Sequence, residues 1–157
     1  MKSIHIYDLD GTIIDSSHRY RTIFNGVKLT IDLAYWIANV KRTHEDKLLP
    51  LAEQYIAQRQ DPDVHTIFCT CRQANQIEIA MPWIVENLGL PDKFFFTETG
   101  YTGSGAVWKA DTLENYLSHD KFQNVKRYFY EDNISYLDAV CARINAQPIF
   151  VESPQGY

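Results

Sequence analysis

The chain has 157 residues, 45% of them hydrophobic and 22% charged, and a formal net charge of -5 at pH 7. Those proportions suit one globular domain with a real core and exclude a disordered chain, while the acidic balance argues against a broad, nonspecific grip on nucleic acid. The apolar runs, such as Phe94-Phe95-Phe96 and Ile149-Phe150-Val151, are far too short to cross a bilayer, and the N-terminus lacks the apolar run of a secretory signal, so a cytoplasmic protein without a membrane partner is expected.

Ile4, Ile6, Tyr7 and Leu9 are strand formers, and they run into Asp8-Leu9-Asp10-Gly11-Thr12. A strand ending this way places two carboxylates where the chain leaves the sheet, with Gly11 free to take a positive φ. An ordinary Asp-Gly turn would read the same over these residues alone. From Asp15 to Gly26 the sequence is polar and aperiodic and reads as a loop or flap. Ile31, Leu33, Ala34, Ile37, Ala38 and Val40 predict a helix over about residues 30 to 42, capped by Thr30, and after a polar break at Thr43 to Asp46 a second helix runs from Leu48 to near Gln60.

Val64 to Cys69 predicts the second strand, ending at Thr70-Cys71-Arg72. A helix over Asn75 to Leu88 must accommodate Pro82 and stops at Gly89; Phe94 to Thr97 is the third strand, and the glycine-rich stretch from Gly100 to Gly105 a loop. Ala106 to Leu117 reads as a helix with Lys109 near its start. Tyr128-Phe129-Tyr130 leads into Glu131-Asp132-Asn133 as a fourth strand ending in acids, followed by a helix over Ile134 to Ile144 and a fifth strand over Pro148 to Val151. Cys69, Cys71 and Cys141 are odd in number and badly spaced for a disulfide, and no second Cys or His pair completes a metal site, so they read as small apolar residues in a reducing compartment.

Alternating strands and helices predict an α/β fold: a doubly wound, Rossmann-like, parallel five-stranded sheet with helices on both faces and no substantial cap domain. Residues 1–157 are expected to form a single domain, with a small flap or helical insertion at about 16–45. Ligands of such sheets bind at the carboxyl ends of the strands, which here bring Asp8, Asp10, Thr70, Arg72 and Asp132 to one rim, with Lys109 able to reach it. Each has a plainer reading on its own: Thr70 as a strand-end hydroxyl, Lys109 as an exposed helix lysine, Glu131-Asp132 as a capping pair. The basic clusters, Lys41-Arg42 with His44 and Lys126-Arg127, read as solvated faces.

Taken together and in order, these residues resemble the haloacid dehalogenase (HAD) superfamily of phosphatases and phosphotransferases. Asp8-Leu9-Asp10-Gly11-Thr12 matches its first motif, Thr70 its second, Lys109 its third, and Glu131-Asp132 its acidic fourth, over residues 4 to 138. Lys93 or Lys121 could fill the third role if the helix starts a turn away. The resemblance implies Asp8 as nucleophile, Asp10 as acid and then base, magnesium held by Asp8, the carbonyl of Asp10 and Asp132, and phosphoryl oxygens held by Thr70, Cys71, Arg72 and Lys109. Tyr130-Glu131-Asp132-Asn133 also resembles the branch of the superfamily found in nucleic-acid repair proteins, although Asn133 stands where that branch has arginine.

The resulting expectation is a magnesium-dependent phosphomonoesterase that forms an aspartyl-phosphate, its phosphorylated substrate leaning towards a nucleotide or a nucleic-acid end. A phosphotransferase of the same fold and a non-catalytic phosphate- or metal-binding module are the alternatives. The sequence leaves substrate identity, oligomeric state and the roles of Glu131 and Asp138 open, and carries no readable code for Phe24, Tyr35, Trp36 and Tyr101, whose aromatic rings suit either a core or a stacked base.

Overall fold

The computed structural model of the protein describes residues 1–153. In chain order its elements are β1 (Ser3–Tyr7), β2 (Ile14–Asp15), β3 (Thr22–Phe24), β4 (Leu29–Ile31), α1 (Leu33–Ala38), β5 (Lys47–Leu48), α2 (Leu51–Gln58), β6 (Val64–Gln73), α3 (Ala74–Asn87), β7 (Lys93–Thr97), α4 (Gly105–Leu117), β8 (Lys126–Glu131), α5 (Ile134–Ile144) and β9 (Gln147–Phe150), with 3-10 turns at Ser17–Arg19, Val40–Glu45 and Asp120–Phe122. Five strands pair in the order β7-β6-β1-β8-β9, all parallel, so the doubly wound sheet expected from the alternation is the one observed. The chain winds outward from β1 to β7, then returns to β1's other side for β8 and β9. The carboxyl end of β1 therefore lies at the switch point, where a crevice opens between oppositely wound halves.

Strand alternation sorts the core into two layers. Ile4 and Ile6 of β1, with Ile67, Cys69 and Phe129, pack against Ala110, Leu113 and Leu117 of α4 and Leu137, Val140 and Ile144 of α5. Tyr7, Phe68 and Tyr130 point to the other face, against Ala52 and Tyr55 of α2 and Ala80, Ile84 and Leu88 of α3. Tyr7 and Tyr130 stack with ring centroids 4.5 Å apart, which extends the cross-strand pairing into the aromatic layer. Among the described residues, no helix is long and apolar enough to cross a membrane.

The insertion between β1 and β6 departs most from the sequence reading. The stretch read as a loop contains β3, which pairs antiparallel with β4 as a hairpin, and β2 pairs with β5 to close the base of the insertion. The helix expected over residues 30 to 42 is shorter: residues 29–31 are strand, α1 covers six residues, and its cap is Asp32, whose side chain accepts from Tyr35 N, in place of Thr30. A β-branched Thr-Ile pair favours the hairpin, and an acid caps better than the threonine two residues earlier. The break at residues 43–46 lies largely within the second 3-10 turn. Elsewhere β6 runs on to Gln73, one residue past the Thr70-Cys71-Arg72 end expected from sequence, and Pro82 sits inside an unbroken α3.

Candidate active site

Parity along the strands decides which groups meet. Asp8 follows Tyr7 and so returns to the face of Ile4 and Ile6, beneath α4; Glu131 shares that face with Phe129. Lys109 lies one and two helical turns before Leu113 and Leu117, on the inward side of α4, so the helix that packs the core also carries an ammonium to the rim. Lys109 Nζ donates to Asp8 Oδ1 at 2.7 Å and to Glu131 Oε2 at 2.6 Å. Lys109 is 1% exposed, and although burial acts against its charge, Asp8 and Glu131 hold its pKa well above the usual lysine range. Of the other lysines considered, Lys93 lies over the Phe95 ring and Lys121 over the Phe122 ring, both away from this cluster.

Asp10 is held differently. The turn after β1 is closed by Leu9 O, which accepts from the amides of Thr12, Ile13 and Ile14, and Gly11 takes φ +79°, a conformation that costs any side chain. The Asp10 carboxylate accepts from Arg72 Nε at 2.9 Å, from Arg72 Nη2 at 2.6 Å and from Ser16 Oγ at 2.8 Å. Burial pushes its pKa up, but Arg72, with Arg19 and Ser16, more than offsets this and the net effect is a lowered value. Arg72, expected to bind substrate, is thus occupied by Asp10; its Nη1 is buried and, among the described residues, makes no hydrogen bond.

Asp8, Glu131 and Asp132 offer oxygens that all lie within 4.8 Å of one another. Asp132 is 1% exposed, and neither of its carboxylate oxygens accepts a well-formed hydrogen bond among the described residues. Burial, then the neighbouring carboxylates, push Asp132 up to about 9; Asp8 rises to about 7 through burial and Glu131, against the pull of Lys109. A buried, all-oxygen cluster of three carboxylates with one neighbouring ammonium is what a hard divalent cation neutralises, so the residues present fit magnesium. Glu131, unassigned from sequence, lies in this cluster and ties it to Lys109. Asn133, at the position where arginine was noted as usual, caps α5 by accepting from Ser135 N and Tyr136 N. Asp138 lies exposed on α5, outside the cluster.

The cluster opens into a cleft of about 390 Å³. Thr70, Cys71, Arg72 and Lys109 line its floor, Asn133, Ser135 and Tyr136 one side, and Lys28 to Ile31, Leu33 and Trp36 of the insertion the other. Thr70 is buried and its Oγ1 accepts from Arg72 N at 3.1 Å within the last residues of β6, and both residues line the cleft. Burial pushes the Cys71 thiol up to about 11, which leaves it protonated and unreactive at neutral pH. Of the four aromatics left open by sequence, Trp36 walls the cleft; Phe24 is exposed, Tyr35 lies under Arg21, and Tyr101 faces Trp108. Sequence reasoning passed over Ser16, Arg19 and Asp46, which are buried with charged or hydroxyl groups in a stretch that showed no periodicity.

The family described as bacteriophage T5 5'-deoxynucleotidase matches residues 1–79, just over half of the chain. The chain belongs to this T5 5'-deoxynucleotidase family. A 5'-deoxynucleotidase of Escherichia phage T5 is 28% identical over 130 residues, which cover 78% of this chain and 47% of that protein. The chain thus spans about half the length of the curated relative it matches. Among solved structures, a chain of the Pnkp1/Rnl/Hen1 RNA repair complex aligns with 96% of this chain and 43% of its own length at a TM-score of 0.64 and 17% identity. The HAD domain of the effector Lem4 from Legionella pneumophila aligns at 0.62 and 15%, covering 99% of this chain and 88% of that domain. CbbY from Rhodobacter sphaeroides, solved with phosphate, aligns at 0.60 and 12%, covering 100% and 90%. The T5 5'-deoxynucleotidase family member described here therefore has the HAD fold, as its motifs implied. The matched residues 1–79 take in Asp8, Asp10, the whole insertion and the Thr70-Cys71-Arg72 turn; Lys109 and Asp132 lie beyond them.

Proposed function

We propose that the protein is a magnesium-dependent phosphomonoesterase acting on the 5'-phosphate of small nucleotides, with Asp8 as nucleophile. The observation that carries this reading is the buried Lys109 standing between Asp8 and Glu131 beside the buried Asp132, a charge arrangement that suits a dianionic phosphoryl group together with a cation. An Asp8 oxygen bonds to phosphorus while the ester bond breaks, and Asp10 gives a proton to the departing nucleoside oxygen. Asp10 then takes a proton from water, whose oxygen attacks the aspartyl-phosphate; phosphate leaves and Asp8 is restored. Pairing with Arg72 suits the carboxylate form that this second half needs, and the negative charge of an arriving phosphate favours the protonated form that the first half needs.

Lys109 offsets the repulsion between an anionic nucleophile and an anionic substrate, and Thr70 and the amide after it hold phosphoryl oxygens. Magnesium, held by Asp8, Asp132 and the Asp10 carbonyl, would supply further charge neutralisation. A walled cleft and the name of the phage T5 relative favour a mononucleotide over a polynucleotide end.

The test is release of phosphate from 5'-deoxynucleotides, 5'-ribonucleotides, 3'-nucleotides and 5'-phosphorylated oligonucleotides, with magnesium or chelator, beside an Asp8→Asn variant. Magnesium-dependent release from the 5'-mononucleotides, lost in the variant, is expected. Equal release by both proteins, or none with any substrate, would reject the reading.

A further inference from the structure

The insertion contributes two buried charges that touch neither the cleft nor the acidic cluster. Arg19 is 0% exposed and Asp46 is 6% exposed. Arg19 donates from Nε to Asp46 Oδ1 and from Nη2 to Asp46 Oδ2, both at 2.9 Å, a bidentate pair; His18 Nε2 lies 3.5 Å from Asp46 Oδ1. The Arg19 guanidinium also lies 4.1 Å from the centroid of the Trp36 ring. Asp46 Oδ2 also accepts from Arg72 Nη2 at 3.3 Å, and that same Nη2, together with Nε, grips Asp10 with two bonds. The result is one buried ladder of alternating charge, Arg19, Asp46, Arg72, Asp10, running from the insertion to the rim of the sheet.

Stability alone is a poor reason for such a ladder, because well-packed apolar side chains of similar volume commonly do as well or better. What a ladder fixes is direction. Arg72 is long and, bound only by Asp10, could rotate with it; with Nη2 shared between Asp10 Oδ1 and Asp46 Oδ2, it presents Nε and Nη2 to Asp10 in one orientation. Arg19 holds Asp46 by both oxygens, and the Trp36 ring holds Arg19 in plane. We infer that Asp46 and Arg19 are positioning residues that fix the reactive carboxylate of Asp10 by anchoring Arg72, so that the insertion takes part in proton transfer without touching substrate.

This inference rests on the phosphatase reading above. It has a signature that a merely structural role lacks. Protonation of the leaving oxygen matters most when that oxygen is basic, as in a nucleoside 5'-oxygen, and least when it leaves readily, as in p-nitrophenolate. Misplacing Asp10 therefore penalises nucleotides more than aryl phosphates.

The experiment compares kcat and KM of the wild type with Asp46→Asn, Arg19→Met and Arg19→Lys, on a 5'-deoxynucleotide and on p-nitrophenyl phosphate with magnesium, after circular dichroism has established that each variant is folded. For Asp46→Asn and Arg19→Met, kcat on the nucleotide is expected to fall about 10- to 100-fold, the scale of a small misplacement of a reacting group. The aryl phosphate should lose only a few-fold and KM should hold for both, with Arg19→Lys recovering part of the loss. Equal losses on the two substrates, a rise in KM alone, or unchanged kinetics in folded variants would overturn the inference while leaving the phosphatase reading in place. A wild type with no magnesium-dependent activity on either substrate would overturn both.

Discussion

Lys109 Nζ lies 2.7 Å from Asp8 Oδ1 and 2.6 Å from Glu131 Oε2, and Asp132 completes a buried group of three carboxylates of which two share the ammonium. The group is short of positive charge by construction. Burial first, and then the neighbouring carboxylates, raise the pKa values of Asp8 and Asp132.

Removing the ammonium should be costly. Lys109→Met leaves the buried carboxylates without their cation, and breaking a buried pair from one side costs about 3–5 kcal/mol. Urea denaturation of the metal-free protein should show a loss on that scale, and phosphate release should fall by at least about 10²-fold, as when one charge-stabilising donor is lost. A variant within 1 kcal/mol of the wild type would mean that the carboxylates take up protons or water at little cost.

The converse holds at Asp8. Asp8→Asn removes one carboxylate from the deficit and should abolish turnover while stabilising the metal-free fold. The sign follows from linkage: a carboxyl raised from its ordinary value to about 7 binds more protons folded than unfolded, so its destabilising effect begins near pH 4 and is fully present above pH 7. Thermal melts should show the variant gaining on the wild type between pH 4 and 7 and holding its gain above that. A variant less stable than the wild type at pH 8 would contradict the charge argument.

Metal and protons should compete for the same oxygens. With Asp8 near 7 and Asp132 near 9 in the metal-free protein, magnesium must displace protons at neutral pH. The rise in melting temperature on adding magnesium should therefore grow from pH 6 to pH 9, and titration calorimetry in buffers of different ionisation enthalpy should detect proton release. Chelation should reverse the stabilisation. A magnesium effect independent of pH over this range would place the ion elsewhere.

How much of this was legible beforehand follows from where the physics is local. Ile4, Ile6 and Tyr7 declare a strand by composition, and Leu113 and Leu117 declare a helix by spacing, so the sheet and its helices follow from short windows. Lys109 could be expected within reach of the rim because it lies near the start of the helix that follows the third strand. The insertion has no such period: its order comes from Arg19 meeting Asp46, which are far apart in sequence and polar, and polar residues that satisfy one another in a buried site look the same in sequence as residues that face water. The strand pattern places Arg72 near the carboxyl end of β6, but its grip on Asp10 depends on a pairing of two strands that no single window contains.

Gly11 offers a test of the turn that carries Asp10. Its φ of +79° lies in the left-handed region, its amide donates to Ile14 O at 2.8 Å, and the neighbouring Leu9 O gathers three amides, so the turn is fixed from both sides and cannot relax by sliding. Alanine in that conformation costs about 1–2 kcal/mol, whereas asparagine, which visits the left-handed region more readily, costs less. Gly11→Ala should therefore lower stability by that amount and lower kcat through displacement of Asp10, and Gly11→Asn should recover part of both. Chemical denaturation and steady-state kinetics measured on the same preparations check the pairing of effects. Loss of stability without loss of kcat would show that Arg72 and Ser16 hold the Asp10 carboxylate whatever the backbone of the turn does.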